Sequence, residues 1–305
     1  MKVLVTGGAG FIGKHLVRSL LEKGHTITIF DDFSNSSEEA ISALIDRGVK
    51  VIKGDITVPI EIKNAIKNKE IVIHLAAKTS VSESIKNPLE TFQVNVNGTR
   101  NVLTACEKNK IQKLIVASSA AVYKECSMED KLTEKSQTNP ISPYGESKLL
   151  IEKEIEKNIV GNNINCVILR FFNIYGLGQT SDYAGVITKF IENIKAKKSL
   201  IIHGDGKQER DFIYIEDIIN AINLSMKKCD GKKGEIYNVA SGKSISVLDL
   251  AKLLIKISNE KIDLKFVDSR SGDIRISRAS IEKISKELDF KILNKLENGL
   301  LNLIN

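Results

Sequence analysis

Tyr144 and Lys148 are the residues whose types and spacing most directly indicate chemistry. They lie four residues apart at the start of a predicted helix over 144–159, so both side chains share one helix face. A phenol with a pKa of about 10 is a poor base at neutral pH, but a neighbouring ammonium favours the phenolate. Ser118 and Ser119 follow a predicted strand, whose carboxyl end opens into a ligand crevice. These residues predict proton transfer on a bound small molecule, although such a Tyr–Lys pair also occurs on ordinary helix surfaces.

A glycine-rich turn follows the first predicted strand. The strand over 2–6 leads into Gly7-Gly8-Ala9-Gly10-Phe11-Ile12-Gly13, and an amphipathic helix comes next. In such a turn the backbone can approach a pyrophosphate, whose charge is favoured by the helix N-terminus. The second strand ends at Asp31, where a carboxylate accepts ribose hydroxyls and repels a 2′-phosphate. The pattern predicts a dinucleotide site that prefers NAD to NADP; the alternative for Asp31 and Asp32 is a solvated turn.

These candidate sites depend on an alternation of strands and helices in the first half of the chain. Continuous apolar strands separated by helices are typical of a parallel sheet buried on both faces, and right-handed crossovers then give a doubly wound α/β sheet of the Rossmann type. Strands are predicted at 2–6, 26–30, 50–53, 71–74, 113–117 and 164–170, with helices at 12–23, 37–47, 59–68, 89–108 and 144–159.

The alternation breaks after about residue 170. The pattern there indicates helices at 185–196, 215–227, 246–257 and 279–288, with loops and short strands between them. We therefore expect a first domain over 1–172 that binds the dinucleotide, its sheet completed by part of 209–241. We expect the remaining residues, 173–305, to form a smaller, interleaved C-terminal α/β cap that binds the substrate.

Composition restricts the classes of function. The 305 residues carry 45 Lys and Arg against 38 Asp and Glu, and the excess is spread evenly, which argues against a nucleic-acid partner but suits a small anionic ligand. No apolar run reaches the length of a membrane span, and no signal peptide is expected. The four cysteines lie far apart, so we expect reduced thiols, a cytoplasmic location and no metal site.

Together these motifs resemble the extended short-chain dehydrogenase/reductases, and within them the NAD-dependent nucleotide-sugar epimerase/dehydratase family, most closely the UDP-glucose 4-epimerases. The resemblance runs nearly from end to end. It is carried by Gly7–Gly13, Asp31, Gly54-Asp55-Ile56, His74-Leu75-Ala76-Ala77, Asn95-Val96-Asn97-Gly98-Thr99, Ser118-Ser119-Ala120, Tyr144 with Lys148, Arg170-Phe171-Phe172-Asn173-Ile174-Tyr175-Gly176, Arg210-Asp211-Phe212 and Arg270-Ser271-Gly272-Asp273.

The resemblance implies roles for individual residues. Ser119 would hydrogen-bond the sugar 4-hydroxyl, Tyr144 would be the base, and Lys148 would hold the nicotinamide ribose. The implied NAD-binding residues are Gly7, Gly10, Phe11, Ile12, Gly13, Asp31, Asp32, Asp55, Ile56, Leu75, Ala76, Ala77, Lys78, Asn95, Ser118, Tyr144 and Lys148. Those implied for a UDP-sugar are Lys78, Ser119, Tyr144, Asn173, Arg210, Arg270, Asp273 and Ser277. Among them Arg210 and Arg270 would clamp the diphosphate, with Asp273 near the uridine ribose; as alternatives, Asn95 could cap a turn and Arg210 could pair with Asp211 or Asp217.

The implied reaction is 4-epimerisation of a UDP-hexose through a 4-keto sugar, with hydride lent to NAD and returned to the other face. A 4,6-dehydratase, or a UDP-glucuronate epimerase or decarboxylase, is the alternative. Relatives that dehydrate or decarboxylate place an acid after the active-site hydroxyl, where this chain has Ala120 and Ala121. His74 is expected to be structural rather than an acid. A plain ketone reductase would leave the two arginines without a role, and a non-catalytic NAD-binding regulator would not need Tyr144 and Lys148.

Two further expectations follow from the resemblance. The fifth residue after Gly272 borders the sugar 2-substituent in similar epimerases, and here it is the small Ser277, which predicts room for an N-acetyl group. Arg275 or Arg278 could instead refill that space. A homodimer is expected as well, because relatives pair the helices predicted here at 89–108 and 144–159 across a four-helix bundle.

Overall fold

The computed structural model describes residues 1–124, 130–159, 162–179, 185–269 and 274–304. Within these ranges the strands are β1 (Lys2–Thr6), β2 (Thr26–Asp31), β3 (Lys50–Lys53), β4 (Ile71–His74), β5 (Lys113–Ser119), β6 (Asn165–Phe171), β7 (Asn173–Tyr175), β8 (Leu200–His203), β9 (Glu209–Tyr214), β10 (Lys233–Val239), β11 (Ser244–Ser246), β12 (Leu264–Val267) and β13 (Ile276–Ser277).

The helices in the same ranges are α1 (Phe11–Glu22), α2 (Ser42–Ile45), α3 (Pro59–Ile66), α4 (Val81–Lys86), α5 (Pro88–Phe92), α6 (Gly98–Lys108), α7 (Pro143–Ile159), α8 (Val186–Lys195), α9 (Ile215–Lys228), α10 (Val247–Ser258), α11 (Glu282–Leu288) and α12 (Leu296–Ile304). None of these described helices is both long and apolar enough to cross a membrane.

Internal packing divides the chain into two units. The first comprises Met1–Val122, Thr138–Arg170 and Ile219–Tyr237, and the second comprises Tyr123–Gln137, Phe171–Ile218 and Asn238–Asn305. The segment 219–237 of the first unit lies inside 209–241, the region that was expected to complete the sheet. The segment 123–137, however, belongs to the second unit rather than to a domain over 1–172. It does so because the Leu132 backbone exchanges hydrogen bonds with Arg278 and Ser280.

The first unit is built on a seven-stranded sheet in the order β10-β6-β5-β4-β1-β2-β3. The pairs β1–β2, β1–β4, β2–β3 and β4–β5 are parallel. Strand order reverses beside β1, which confirms the predicted doubly wound sheet and places a ligand crevice at the carboxyl ends of its strands. Val3, Leu4 and Val5 have no exposed surface. Continuous burial explains why these strands are apolar on both faces.

The second unit is smaller and mixed. Its strand β9 pairs antiparallel with β11 and parallel with β7 and β13, while β8 pairs with β12. Two helical predictions need correction. The helix predicted over 37–47 contains only a 3-10 turn followed by the four-residue α2, and the helix predicted over 89–108 is α5 and α6 joined by a π-helical turn, Gln93–Asn97. The terminal helix α12 was not predicted.

Candidate active site

The glycine-rich turn forms a cradle with little room for side chains. Gly7 has φ of 68°, a left-handed conformation that favours glycine, and a Cβ there would lie 2.7 Å from the Ala76 nitrogen. A Cβ on Gly13 would overlap the Gly7 carbonyl, so α1 can approach the turn only with glycine at this position. Helix α1 begins at Phe11, and its N-cap Gly10 makes no side-chain cap. Its first backbone amides therefore keep the arrangement that binds a phosphate.

Asp31 ties the end of β2 to this cradle. Its carboxylate accepts hydrogen bonds of 2.9 Å from the backbone N–H groups of Ala9 and Phe33. Burial raises the pKa of Asp31 above its usual range, against the opposing effect of these hydrogen bonds. Asp32, by contrast, accepts only a local turn bond from Ser34 in the described part of the chain. The structure thus places a buried carboxylate beside the glycine turn, where a cofactor's adenosine ribose would meet it.

The loop after β4 is held by Asn95, which lies in the π-helical turn. The side-chain oxygen of Asn95 accepts from the Lys78 backbone at 2.8 Å, and its amide donates to the Lys78 carbonyl at 3.0 Å and to Ser147 Oγ at 2.9 Å. Leu75 and Ala76 bond back to Thr6. Asn95 therefore holds the backbone of Lys78, one of the residues that the sequence associated with the cofactor. The Lys78 ammonium forms an ion pair with Glu90.

Asp55 and Ile56 follow β3, also in the first unit. The Asp55 carboxylate accepts the Thr57 N–H at 2.7 Å, and Ile56 is buried against the start of α6 at Gly98.

His74, at the end of β4, has a partner at each ring nitrogen. Its ring nitrogens contact Thr6 Oγ1 at 2.7 Å and Thr99 Oγ1 at 2.9 Å.

These surroundings keep the His74 ring neutral. Burial, with a smaller effect from the Lys148 charge, lowers the pKa of His74 to about 3. A neutral imidazole bonded at both nitrogens, as here, is a structural group rather than an acid for substrate.

Helix α7 presents Tyr144 and Lys148 to the end of β5. The helix starts at Pro143, a favoured first position, and the Ser142 hydroxyl caps it by accepting the Gly145 N–H at 3.1 Å. The Ser119 hydroxyl lies near the Tyr144 phenol and acts to lower the pKa of that phenol. Lys148 donates to the Ala117 carbonyl at 3.0 Å, and its Nζ lies 6.0 Å from the centre of the Tyr144 ring.

The pKa directions in this cluster follow from burial. Burial raises the pKa of Tyr144, although the Ser119 hydroxyl acts in the opposite direction. Burial lowers the pKa of Lys148 to about 8, opposed by the charge of Glu152. At neutral pH the cluster therefore holds a phenol and a predominantly protonated ammonium. Burial is the largest effect on the pKa of Tyr144, so this pKa is raised rather than lowered as the sequence predicted.

The sequence did not single out Glu152 and Arg170 as a pair. Ser118, which was expected beside the cofactor, donates instead to Glu152 Oε1 at 2.6 Å. Arg170 donates to the same carboxylate through Nε at 2.9 Å and through Nη2 at 2.6 Å. A signal was present, because Glu152 follows Lys148 by one helical turn and Arg170 ends a buried strand.

The second unit holds the remaining residues. Asn173, on β7, donates its side-chain amide to the Asp211 carbonyl at 3.0 Å. Arg210, on β9, lies in register with Ser277 of β13 and donates to the Glu209 carbonyl at 2.8 Å. Arg270 and Asp273 lie outside the described residues.

The charged residues near Arg210 and Ser277 have partners within the second unit. The carboxylate of Asp211 accepts from Ser241, and that of Asp217 accepts from the backbone of Leu293 and Asn294. Arg275 pairs with Asp205 at 2.9 Å and Arg278 with Glu209 at 2.7 Å. Both arginines are therefore held by carboxylates of their own unit. Within the described ranges, no three His, Cys, Asp or Glu side chains are grouped so as to hold a metal ion.

A model of the NAD dependent epimerase/dehydratase family matches residues 3–240. The chain belongs to this family. A UDP-N-acetylglucosamine 4-epimerase from Methanobrevibacter ruminantium M1, solved with UDP-N-acetylmuramic acid, has a TM-score of 0.93 at 36% identity, covering 99% of this chain and 96% of that one. A UDP-glucose 4-epimerase from Thermotoga maritima, solved with UDP-glucose, has a TM-score of 0.94 at 30% identity, covering 100% and 97%. The dTDP-D-glucose 4,6-dehydratase of Bos taurus is 35% identical over 93% of this chain and 82% of its own length.

The cofactor of this epimerase/dehydratase family is NAD, and the residues of the first unit fit it. The glycine cradle is one that an added Cβ would fill at Gly7 and Gly13. The first turn of α1 offers backbone donors for the pyrophosphate, and Asp31 offers a buried acceptor for a ribose. When bound, NAD supplies a hydride acceptor, a function that no amino-acid side chain performs.

Proposed function

We propose that this chain is an NAD-dependent 4-epimerase of UDP-hexoses, interconverting UDP-glucose and UDP-galactose. Relatives of similar identity include both epimerases and a dehydratase, so similarity alone does not choose between them. The observation that carries the proposal is local. Ser119 interacts with Tyr144, so the two residues can serve one alcohol, while the 3-10 turn that follows Ser119 presents Ala120 and Ala121. Alanine transfers no proton, and elimination of water needs a further acid and base.

The proposed roles follow from the geometry around α7. In its phenolate form, Tyr144 Oη accepts the proton of the sugar 4-hydroxyl as the C4 hydride departs, and it returns that proton when the hydride comes back to the opposite face. Ser119 Oγ orients the same hydroxyl, because Ser119 interacts with the Tyr144 phenol from the end of β5. The positive charge of Lys148 favours the phenolate as it forms. These steps leave the sugar with no net oxidation.

The UDP part is assigned to the second unit by resemblance. We propose that Arg210, Arg270 and Asn173 bind the diphosphate and that Asp273 lies near the uridine ribose. Guanidinium groups suit this role because their planar donor fork matches phosphate oxygens. Strong anchoring of UDP would leave the sugar itself free to turn over between its two faces, as an epimerase requires.

We further propose that N-acetylhexosamines are accepted. Ser277 is small and lies on β13 beside Arg210, and the two arginines that could refill the space are paired with Asp205 and Glu209. We therefore predict that the wild-type chain turns over both UDP-glucose and UDP-N-acetylglucosamine. Ser277→Tyr should lose the N-acetylated substrate while keeping UDP-glucose, since overpacking excludes the larger group. Turnover rates of wild type and Ser277→Tyr, measured on each sugar, check this prediction. A wild type active only on UDP-glucose would contradict it.

One experiment separates the candidate functions. Purified protein is incubated with UDP-glucose while absorbance in the NADH band and the sugar's NMR spectrum are followed. An epimerase gives UDP-galactose without net NADH and without a deoxy sugar. A 4,6-dehydratase gives a 4-keto-6-deoxy sugar, and with UDP-glucuronate a decarboxylase gives a pentose. Loss of the C6 hydroxyl, or no turnover of any UDP-hexose, would overturn the proposal.

A further inference from the structure

A buried ion pair lies one helical turn beyond Lys148. Arg170 grips both oxygens of Glu152, at 2.9 Å through Nε and 2.6 Å through Nη2, and both side chains are only 4% exposed. Ser118 adds a third donor at 2.6 Å. A buried pair of this kind contributes little net stability, because removing two charges from water offsets their attraction. The position of the pair beside Lys148 suggests another role.

The pair fixes α7 against the sheet beside the proposed catalytic residues. Lys148 bonds to the carbonyl of Ala117 and Glu152 bonds to Ser118, so two successive turns of α7 are attached to adjacent residues of β5. Arg170 attaches the second of these turns to β6, the next strand of the sheet. Together these bonds set the position of α7 along its axis, and with it the distance from Tyr144 to Ser119.

Arg170 and Ser118 also fix the position of the Glu152 carboxylate relative to Lys148. In the described part of the chain Glu152 and Lys148 share no hydrogen bond, although they lie on one helix face four residues apart. Glu152 acts on Lys148 through charge, opposing the effect of burial on the lysine's pKa. Arg170 and Ser118 occupy the carboxylate and so keep it from capturing the ammonium directly.

We propose that Glu152 is a positioning residue that keeps Lys148 protonated beside Tyr144, and that Arg170 holds Glu152 away from direct contact with that ammonium. The inference rests on the proposed function only where it concerns turnover. Removing Glu152's charge leaves Lys148 facing the unneutralised Arg170. Removing Arg170 releases Glu152 to pair with Lys148. The two changes should therefore shift the titration of Lys148 in opposite directions.

Other charges near this helix do not supply the same effect. His74, from β4, is the further titratable group that interacts with Lys148, and it stays neutral above a pKa of about 3. Charged side chains on α4, α5 and α6 meet partners closer to the surface: Lys86 with Glu83, Lys78 with Glu90 and Arg100 with Glu154.

The direct test is the titration of Lys148 in the full chain. NMR on protein carrying isotope-labelled lysine, with Lys148→Met to identify the resonance, gives the titration midpoint without any need for turnover. We expect Glu152→Gln to lower this midpoint by about one pH unit or more and Arg170→Met to raise it similarly. Glu154→Gln is the matched control, because it removes the same group from an exposed ion pair on the same helix, and it should leave the midpoint unchanged.

A double variant keeps the test informative if either single variant fails to fold. Glu152→Gln with Arg170→Gln removes both charges of the pair together, and we expect its midpoint to lie between those of wild type and Glu152→Gln. Shifts of the Lys148 midpoint in the same direction in both single variants, or a double variant identical to wild type, would overturn the inference.

Turnover gives a second, separable readout. On the proposed epimerisation, the rate of the Glu152→Gln variant should fall at a lower pH than that of wild type, with an unchanged KM for the UDP-sugar. A purely structural role would lower the melting temperature without moving the pH profile. Absence of any epimerase activity in wild type would refute the proposed function, while the NMR titration would still decide the role of Glu152.

Discussion

The phenol of Tyr144 is the group on which the proposed chemistry depends most. Burial raises its pKa, so it is a neutral phenol at neutral pH and becomes a base only with help from the groups around it. The Ser119 hydroxyl acts to lower this pKa, and Lys148 provides a positive charge while it is protonated. Burial lowers the pKa of Lys148 to about 8. Turnover should therefore decline as pH rises through this value and Lys148 loses its proton.

Tyr144→Phe should abolish turnover by removing the proton acceptor while preserving the ring. General acid–base groups typically contribute about 10²–10⁴-fold, so the loss should lie in this range. Bound NAD should remain, because the glycine cradle and Asp31 are untouched. Tyr237→Phe makes the same change at a buried tyrosine of β10 and serves as the control. Steady-state rates and the NAD content of the purified variants check this, and a rate above about a tenth of wild type would exclude Tyr144 as the base.

We expect Asp31 to set the preference for NAD over NADP. Its carboxylate is buried and bonded to the backbone of Ala9 and Phe33, so it cannot turn away from an added 2′-phosphate. Like charges in a partly buried site cost on the order of a few kcal/mol, and we expect NAD to bind far more tightly than NADP. Asp31→Asn should reduce this difference. Calorimetry with both nucleotides is the measurement, and equal affinities in the wild type would rule out the assignment.

The close approach of α7 to the turn after β5 is a property of these elements rather than of one side chain. A Cβ on Gly145 would overlap the Ala121 carbonyl and lie 3.0 Å from Pro140 Cβ. Gly145→Ala should therefore displace the start of α7 and separate Tyr144 from Ser119. Because misplacement by about 1 Å can cost about 10²-fold, turnover should fall to that extent.

Gly185→Ala is the control for this change. Gly185 precedes α8, and a Cβ there meets nothing within 4 Å. The control should keep wild-type turnover, and both variants should be compared by rate and by thermal unfolding. Wild-type turnover in Gly145→Ala would show that α7 adjusts without moving the phenol.

At the scale of the whole molecule, exposed apolar side chains bear on how the chain assembles. A homodimer was expected because relatives pair the helices predicted here at 89–108 and 144–159. The structure places large exposed apolar side chains at Val81, Ile85 and Leu89 of α4 and α5, and at Ile141 just before α7. Both α4 and α5 pack against α7. Exposed apolar side chains close together are typical of an interface, so the dimer stays a prediction with a more specific location.

Light scattering at micromolar concentration should give twice the chain mass of 33.7 kDa. Leu89→Glu should yield monomers, because it places a charge where a partner would cover an apolar surface. Ile60→Glu is the control, since Ile60 is also exposed but lies on α3. A wild-type monomer would end this prediction, and dissociation by both variants would place the interface elsewhere.

Much of the fold could be predicted from local sequence alone. Strands such as β1 are continuous apolar runs, and the spacing of Gly7, Gly10 and Gly13 reflects backbone sterics within one turn. Tyr144 and Lys148 share a face because helix geometry alone requires it. Each of these signals operates over a few residues, which is why it can be recognised before the chain is folded.

What the sequence could not show are pairings between distant segments and the effects of burial. Glu152 meets Arg170 and Ser118 only after α7 packs on β5 and β6, and Asn95 clamps Lys78 only because a π-helical turn directs it there. The pKa of Tyr144 likewise depends on how completely the folded chain removes it from water. Local sequence determined which groups this protein carries; tertiary packing decided which of them meet and how strongly they ionise, because desolvation and long-range hydrogen bonds exist only in the folded chain.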